Sequence, residues 1–396
     1  MATRMGAMTG AGSQAGGAAG SLLRPGKFPA LTHAGPTTFG RYLLLDLIAV
    51  GGMADVYVAT TGGAGGLPRL VAVKRLLPMI TATPDFVAMF ADEAEVMRRL
   101  THPSLPRVFE YGQYAGAHFI AMELVRGLDL RTLLDELVAM GRRMPPTMVA
   151  WLGLHICRAL AHAHEQQDAR GRSLGLVHRD VSPNNLMLGW DGQVKLIDFG
   201  IARHSARSIQ TTARVIKGTI GYMSPEQASG DHLDQRSDLY SLGSCMFEML
   251  TGHRLFHDED RMRLLKKVRS GRVRSPSDLC PDIPEELSAI LLDVLRHNPR
   301  RRPKTASVLA QRLEGFLHGQ SVRLRPELVA GWMQSVFSEA HAVETQWLEG
   351  LGAAWDPVVA RTARRYSGVP VCSEAVTDPD TTLMDLRPPD FCATMA

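Results

Sequence analysis

Apolar and polar residues alternate in short runs over the first third of the chain, and this is the period of β-strands. RYLLLDLIAV begins at Arg41, DVYVAT at Asp55 and LVAVKRLL at Leu70, with Gly-rich stretches between the three runs. Strands joined by short glycine turns pair as antiparallel hairpins. Two further runs, RVFEYG and HFIAMEL, extend the pattern. We therefore predict an antiparallel sheet within residues 41–122.

A helical period appears between these strands and dominates the chain beyond Leu130. Phe86, Phe90, Ala94 and Met97 fall on one face of a helix over 85–100. Five further helices are predicted over 147–165, 233–251, 259–270, 284–296 and 304–317, with short strands near 186–188 and 194–197. The pattern predicts an α+β fold, in which a small antiparallel β-rich lobe precedes a larger helical lobe at 126–317.

The two ends of the chain differ from this central region. Residues 1–38 are rich in Gly, Ala, Ser and Thr, which predicts a flexible leader. The tail, 318–396, contains apolar residues at helical spacing over 325–351, either as one helix or as a broken one. Its Trp332 and Phe337 are expected to pack on the helical lobe or to bind a partner, and a loose end follows.

Composition narrows the classes of function. Hydrophobic residues make up 45% of the chain, enough for a large core, and the formal net charge of +4 is too small to indicate a nucleic-acid partner. The five cysteines are scattered without a CxxC spacing, which argues against a disulfide framework or a zinc site and favours the cytoplasm. No apolar run reaches the roughly 18 residues of a membrane span, so we expect no membrane partner.

A glycine turn and a lysine are the first candidates for chemistry. IAVGGMADVYVA, 48–59, joins two predicted strands, and glycines in such a turn let backbone N–H groups approach phosphates, although a plain hairpin has the same composition. VAVK then places Lys74 on a half-buried strand, where an ammonium group needs anionic partners. Glu93 on the following helix and the phosphates of a nucleotide could supply them, and a snorkelling edge lysine is the alternative.

Two polar motifs follow in the helical lobe. HRDVSPNN offers Asp180 as the acceptor of a hydroxyl proton and Asn185 as a neutral oxygen ligand. IDFG places Asp198 at the end of a short apolar strand, where a carboxylate can hold Mg²⁺. Each residue could instead be a cap or a turn residue. The fixed order of all these motifs along one chain argues against a chance origin.

The ordered motifs resemble those of eukaryotic-like bacterial serine/threonine protein kinases, and the resemblance covers about 41–317. It implies a two-lobed protein-kinase-like fold and transfer of the γ-phosphate of ATP to Ser or Thr hydroxyls of protein substrates. It further implies Mg²⁺, or Mn²⁺, as the metal, autophosphorylation, and a role in cytoplasmic signalling. The substrates and the oligomeric state are not implied.

The resemblance also implies roles for individual residues. Lys74 is expected to contact the α- and β-phosphates and to pair with Glu93. Asp180 is expected to orient the substrate hydroxyl and accept its proton, while Asn185 and Asp198 hold the metal. Met122 is expected to be the gatekeeper, and Glu123–Val125 the hinge that binds adenine. The other expected nucleotide contacts are Ile48, Ala49, Val50, Gly51, Gly52, Val56, Ala72, Asp129 and Leu186, with Ala72 and Leu186 on the two sides of the adenine ring.

Six further residues receive supporting roles from the resemblance. Glu226 of MSPEQ is expected to pair with Arg302, and Asp238 to hold the catalytic loop through backbone N–H groups. Arg179 is expected to meet a phosphate group on Thr211 or Thr212, although both could be ordinary loop threonines.

The chain departs from the family at two places. Ala49 and Ala54 stand where the turn carries its first and third glycines, and only Gly51 is kept. Alanine costs about 1 kcal/mol where φ must be positive, so we expect a stiffer cover over the phosphates. Ser182 stands where serine/threonine kinases carry a lysine that steadies the γ-phosphate. Either another cation such as Lys217 replaces it or transfer is slower, and the preference for Ser/Thr over Tyr is weakened.

Two other functions remain open. A catalytically silent scaffold could share the fold, but it would be expected to have lost Lys74, Asp180 or Asp198, and all three are present. A small-molecule phosphotransferase could share the two lobes. The SPEQ segment and the helices after it resemble protein-substrate machinery and argue against this second alternative.

Overall fold

The computed structural model of the chain describes residues 36–62, 68–81, 83–199, 219–321 and 323–351. Residues 1–35 of the predicted leader and the predicted loose end beyond residue 351 lie outside these ranges. Residues 36–38, also predicted to be leader, are described and run into the first strand.

The small lobe is a six-stranded antiparallel sheet, in the order β1-β2-β3-β4-β6-β5. Its strands are β1 (Thr37–Phe39), β2 (Tyr42–Val50), β3 (Ala54–Gly62), β4 (Pro68–Leu76), β5 (Val108–Tyr114) and β6 (Ala117–Glu123). The prediction of an antiparallel sheet is confirmed. Strand β1 was not predicted, because three residues are too few to show a period of two.

Alternation along β4 sends its side chains to two different clusters. Val71 and Val73 pack with Phe119 on the outer face of the sheet. Ala72 belongs to the cluster on the inner face, and Lys74 shares this side of the strand by the period of two. The lysine therefore points towards the large lobe because of its register in the sheet.

Two helices accompany the sheet, and helices dominate the large lobe. The first two are α1 (Pro78–Thr81) and α2 (Pro84–Arg99). Those of the large lobe are α3 (Leu130–Ala139), α4 (Pro146–His164), α5 (Pro225–Ser229), α6 (Gln235–Thr251), α7 (Arg261–Ser270), α8 (Pro276–Leu279), α9 (Glu285–Val294) and α10 (Ala306–His318). A three-stranded sheet, β7 (Gly127–Asp129), β8 (Leu186–Gly189) and β9 (Val194–Leu196), lies at the start of this lobe. The predicted two-lobed α+β fold is confirmed.

Helix α6 is the centre of the large lobe. Every residue from Ser237 to Thr251 is buried, so the helix is enclosed on all sides. Near its N-terminus lies Asp238, which is 1% exposed. Its carboxylate accepts hydrogen bonds from the backbone N–H groups of His178 at 2.8 Å and Arg179 at 2.7 Å. It also lies 2.8 Å from Nε2 of His164, and these partners make its burial possible.

A second buried carboxylate, Glu226 in α5, binds Arg302 in a two-pronged ion pair with N–O distances of 2.6 and 2.8 Å. The remaining N–H donors of Arg302 reach the backbone carbonyls of Arg236, Arg296 and His297, so all five donors are used. Burial alone would raise the pKa of Glu226, but the hydrogen bond and charge of Arg302 lower it overall. The pair ties the segment before α6 to the loop before α10.

Beyond α10, the predicted region 325–351 contains two helices, α11 (Pro326–Val336) and α12 (338–351). They meet at Phe337, whose backbone leaves the helical range. Within the described parts of the chain, no helix is long and apolar enough to cross a bilayer.

Replacing Arg302 by Ala should lower the free energy of unfolding by about 3–5 kcal/mol, because Glu226 would remain buried without a countercharge. Arg158→Ala is the matched control, since its pair with Glu314 at 2.8 Å is between side chains 44% and 42% exposed. An exposed pair contributes about 1 kcal/mol or less. Chemical denaturation measures both, and equal losses would contradict the assignment of Glu226–Arg302 as a structural pair.

Asp238 should make the free energy of unfolding depend on pH in the acidic range. Burial alone would raise its pKa, but the hydrogen bond and charge of His164, together with His178 and the backbone of Arg179, lower it overall. A pKa below that of the unfolded chain, about 3.9, contributes stability above that pH, and this is lost as the pH falls through the folded-state pKa.

We therefore expect the unfolding free energy of Asp238→Asn to fall less steeply than that of the wild type between pH 5 and 3, by denaturant titration at each pH. The variant should also be less stable at pH 7, by about 1–3 kcal/mol. Asp278→Asn, in an exposed position on α8, should retain the wild-type slope. Identical slopes for all three proteins would rule out the role given to Asp238.

Candidate active site

The cleft between the lobes contains one ammonium group and two carboxylates. Lys74 Nζ lies 2.8 Å from Glu93 Oε1 and 2.9 Å from Asp198 Oδ1. Glu93 comes from α2, where it shares a buried face with Phe90 and Met97, and Asp198 follows β9 of the large lobe. The predicted pair of Lys74 and Glu93 is therefore formed, and Asp198, which was predicted as a metal ligand, also contacts Lys74.

The charges of this trio depend on one another. Burial alone would lower the pKa of Lys74, but the charges of Asp198 and Glu93 outweigh that effect and raise the pKa above its ordinary value. Lys74 is therefore a permanent cation. When both carboxylates are ionised the trio carries one net negative charge, which a bound metal could offset.

The loop HRDVSPNN, residues 178–185, is the predicted catalytic loop, and it brings Asp180 and Asn185 to the same cleft. The side-chain amide of Asn185 donates to the backbone carbonyl of Asp180 at 2.8 Å and to its Oδ2 at 2.9 Å. The backbone N–H of Ile197 donates to the carbonyl of Asn185 at 2.8 Å, which ties the strand leading to Asp198 to this loop. Asn185 thus holds the Asp180 carboxylate in place.

Backbone strain is concentrated at this site. Among the described non-glycine residues only Ala115, Arg179 and Asp198 have positive φ, at 49°, 66° and 55°. Left-handed backbone is costly for residues with a Cβ and persists where surrounding contacts enforce it. The hydrogen bond from the Arg179 N–H to Asp238 is one such contact. The loop residues that carry the carboxylates are therefore held in place by the large-lobe core.

The donor set fits a hard divalent cation. Both amide hydrogens of Asn185 are used on Asp180, which leaves Oδ1 as the available acceptor. Oδ2 of Asp198 accepts no hydrogen bond from any residue that the structure describes, and this side chain is 41% exposed. Amide and carboxylate oxygens are the ligands that Mg²⁺ prefers. These two residues would hold the metal.

The glycine turn is less strained than we expected. Ala49 pairs with Val56, next to a register shift in the pairing of β2 with β3, and Ala54 pairs with Leu76; neither alanine has positive φ. The expected strain cost of about 1 kcal/mol is therefore wrong, whereas the stiffer cover stays a prediction. Gly51 does need its missing side chain, since a Cβ there would lie 2.5 Å from the carbonyl oxygen of Ala54.

The predicted adenine pocket has a wall and a hinge. Ala72 and Met122 are neighbours in the pairing of β4 with β6 and lie in the inner cluster, with Val56 at its edge. Glu123 at the end of β6 is held by Lys195 Nζ at 2.9 Å. The backbone N–H of Val125 donates to no group within the described ranges. It is therefore available to a planar ligand bearing a hydrogen-bond acceptor.

Asp129 does not fit its predicted role as a nucleotide contact. It is fully buried, and its carboxylate caps α3 by accepting from the backbone N–H of Thr132 at 2.8 Å and from the hydroxyl of the same residue at 2.8 Å. A carboxylate in a short turn serves equally well as cap or ligand, so the sequence could not separate the two roles.

Leu186 and its neighbour Met187 occupy opposite sides of β8. Leu186 and Met187 both line a small apolar cavity in the helical lobe with Leu152 and Ile156, and both are buried. Met187 pairs directly with Lys195, whose ammonium reaches Glu123 at the hinge. Leu186 as a contact of the adenine ring stays a prediction, and the pairing with Lys195 makes Met187 a second candidate.

Thr211, Thr212 and Lys217 lie outside the described residues. Ser182 is completely buried, and its Oγ makes no hydrogen bond to the described part of the chain. In this conformation the serine hydroxyl is therefore not presented to the cleft.

Three contributors were missed by the sequence analysis. His164 contacts Asp238, Lys195 holds Glu123, and the side-chain amide of Gln227 donates to the carbonyl of Arg179 at 2.8 Å. The SPEQ motif contains Gln227, so that motif was the only available signal for it. The sequence around His164 and Lys195 does not distinguish them from ordinary polar residues.

Comparison with known proteins agrees with this geometry. The profile of the protein kinase domain family matches residues 42–313. The tyrosine-protein kinase MasK of Myxococcus xanthus is 41% identical over 279 residues, which are 70% of this chain and 43% of MasK. The serine/threonine-protein kinase PknB of Mycobacterium leprae is 36% identical over 72% of this chain and 44% of PknB. The chain thus spans less than half the length of these relatives.

A solved structure gives the same result. The crystal structure of the PknI kinase domain of Mycobacterium tuberculosis superposes with a TM-score of 0.54 at 26% identity, covering 73% of this chain and all of that domain. The family match spans well over half of the chain and includes both lobes and every residue of the charged cleft. The chain therefore belongs to the protein kinase domain family.

Proposed function

We propose that the chain is an active protein kinase that transfers the γ-phosphate of ATP to hydroxyl groups of protein substrates. The observation that carries this proposal is the joining of Lys74 to one carboxylate from each lobe, at 2.8 and 2.9 Å. This ion trio joins both lobes at the cleft that also contains Asp180 and Asn185. It is well suited to a metal-bound triphosphate.

In this reaction the main task of the protein is to position the substrate hydroxyl and the phosphates. Asp180 accepts the proton of the substrate hydroxyl, and Asn185 holds its carboxylate by the 2.9 Å hydrogen bond. Lys74 binds the α- and β-phosphates and keeps Glu93 as its second partner. A divalent metal, which we propose to be Mg²⁺, offsets phosphate charge when it is held by Asn185 and Asp198.

The nucleotide itself is proposed to lie between β2–β3 and the hinge. Val125 offers its backbone N–H to the adenine ring, while Ala72 contacts one face of the ring and Leu186 or Met187 the other. Met122 closes the back of the pocket. The turn at 48–52, with Gly51 at its tip, covers the phosphates, which fits the hydrogen bond from the Gly51 N–H to the Ala54 carbonyl at 3.0 Å and the 58% exposure of Val50.

We propose Ser and Thr as acceptors, in line with the named activity of most of the bacterial relatives. A specific observation favours Tyr as a second candidate. Ser182 replaces the lysine of the catalytic loop, and MasK, the Myxococcus xanthus relative, is named a tyrosine kinase. Both acceptors carry a hydroxyl, so Asp180 would serve either.

Location and regulation complete the proposal. Cys157 and Cys245 are buried free thiols, which fits a reducing cytoplasm. Arg179 is proposed to bind a phosphate on Thr211 or Thr212 after autophosphorylation. Burial lowers the pKa of Arg179, whereas the charge of Asp238 raises it. A phosphate group nearby would add a second negative charge that stabilises the guanidinium.

Replacing Asp180 or Asp198 should slow phosphate transfer strongly without unfolding the protein. We expect Asp180→Asn and Asp198→Ala to lower the rate of γ-phosphate transfer to a generic protein acceptor by about 10²–10⁴-fold, since proton acceptance or metal binding is lost. Asp278→Asn, an exposed carboxylate on α8, is the control and should retain the wild-type rate. Radiolabelled ATP with Mg²⁺ or Mn²⁺ measures transfer. Wild-type protein that binds ATP but transfers nothing would identify a silent scaffold instead.

The acceptor can be identified in one experiment. Three peptides that differ only in a central Ser, Thr or Tyr are incubated with the protein, ATP and Mg²⁺, and the products are analysed by mass spectrometry. We expect phosphate on the Ser and Thr peptides, and the same spectra should locate phosphate on Thr211 or Thr212 of the protein. Phosphate on the Tyr peptide alone would replace the Ser/Thr assignment with the second candidate.

A further inference from the structure

Helices α11 and α12 lie beyond the residues that the kinase family profile matches, yet they pack against the kinase lobes. Helix α11 lies on the turn between β8 and β9 of the large lobe. Val329 and Met333 are fully buried there, and the side-chain amide of Gln334 donates to the carbonyl of Trp190 at 3.1 Å. Gly192 in this turn has φ of 78°, and a Cβ would lie 1.9 Å from the carbonyl oxygen of Pro326. The two backbones are therefore in direct contact.

The first half of α12 lies at the hinge. Glu344 is 2% exposed, and its carboxylate accepts hydrogen bonds from the indole N–H of Trp190 and from Nε of Arg126 at 3.3 Å. Arg126 directly follows Val125 of the hinge. The ring of His341 lies 4.8 Å from that of Trp190. One buried acid thus joins the large-lobe turn to the hinge.

The end of α12 reaches the small lobe. The indole N–H of Trp347 donates to Asp46 Oδ2 in β2 at 3.1 Å. Leu351 is 3% exposed and shares an apolar cluster with Leu43, Leu45 and Val58. At the edge of the same cluster lie two residues of the nucleotide site, Ile48 of β2 and Leu124 of the hinge.

A single rigid segment therefore contacts three bodies that would otherwise move relative to one another. A 14-residue helix is about 21 Å long and does not stretch. It sets the distance between its contact at Trp190 and its contact at Asp46. The hinge lies between the two contacts, so a change in the angle of the lobes would have to break one of them. Packing that only covered apolar surface would not need the polar contacts at Glu344 and Trp347.

We propose that residues 326–351, here called the brace, position the hinge and strand β2 for nucleotide binding. The brace holds both walls of the adenine pocket in the arrangement that the nucleotide needs, so less of the binding energy is spent on ordering them. Its residues are positioning residues and touch no substrate. The inference rests on the proposed function for the identity of the nucleotide, whereas the hold on the hinge and β2 stands on the contacts alone.

The test uses the full chain with two side chains of the brace changed together, Trp347→Phe and Leu351→Ala. The matched control is Leu328→Ala in α11, because Leu328 is 45% exposed. Hydrogen exchange followed by mass spectrometry, without nucleotide, reports on peptides from β2 and from 123–126. Calorimetry with ADP and steady-state kinetics with ATP report on the nucleotide site.

In the double variant we expect faster exchange in β2 and the hinge, but not in α6. The affinity for ADP should fall about fivefold, and KM for ATP should rise by a similar factor while kcat at saturating ATP stays near the wild-type value. The control should match the wild type in every measurement. A role confined to global stability would instead speed exchange throughout the protein and leave the affinity of the folded fraction unchanged.

Unchanged exchange in β2 and the hinge would overturn the proposal, and so would faster exchange with unchanged ADP affinity. If circular dichroism shows the double variant unfolded, Trp347→Phe alone repeats the test, because it keeps an aromatic side chain but lacks the indole N–H that binds Asp46. A wild-type chain that binds no nucleotide would overturn the proposed function. The exchange data would still decide whether the brace holds the hinge and β2.

Discussion

One ammonium group, that of Lys74, links the two lobes at the cleft. Its burial is tolerable because carboxylates from α2 and from the residues after β9 lie within 3 Å. This requirement ties together the register of β4, the face of α2 and the position of Asp198. A change in the register of β4 would separate the ammonium group from both carboxylates, so the geometry of the cleft follows from the cost of desolvation.

The large lobe supplies the rigid support for this arrangement. Asp238 and Glu226 are buried acids whose oxygens are occupied by backbone N–H groups, a histidine, a serine and Arg302. Fully satisfied polar networks are stiff, because any displacement leaves a polar atom unpaired. The strained backbone of Arg179 is held by one of them. Order in the catalytic loop therefore originates in the core beneath it.

The sequence predicted the elements with a clear period and the residues inside long motifs. Strands β2 to β6 and helices α4 and α6 each carry enough residues to show their period. The sequence-based prediction failed where the local pattern does not show which way a side chain points or which role it has. In β8, LMLG is apolar throughout, so the sequence could not show which of its side chains faces the cleft. Asp129 looks the same as a cap or as a ligand. The alanines of the turn are accommodated by strand pairing, which depends on tertiary register.

The contact between Trp347 and Asp46 spans 301 residues of sequence. During synthesis at about 5–20 residues per second, β2 leaves the ribosome roughly 15–60 seconds before its partner in α12. For that period the leucines of β2 beneath Leu351 lack their cover while the large lobe is being made. The nascent small lobe thus exposes these apolar side chains until α12 has been made.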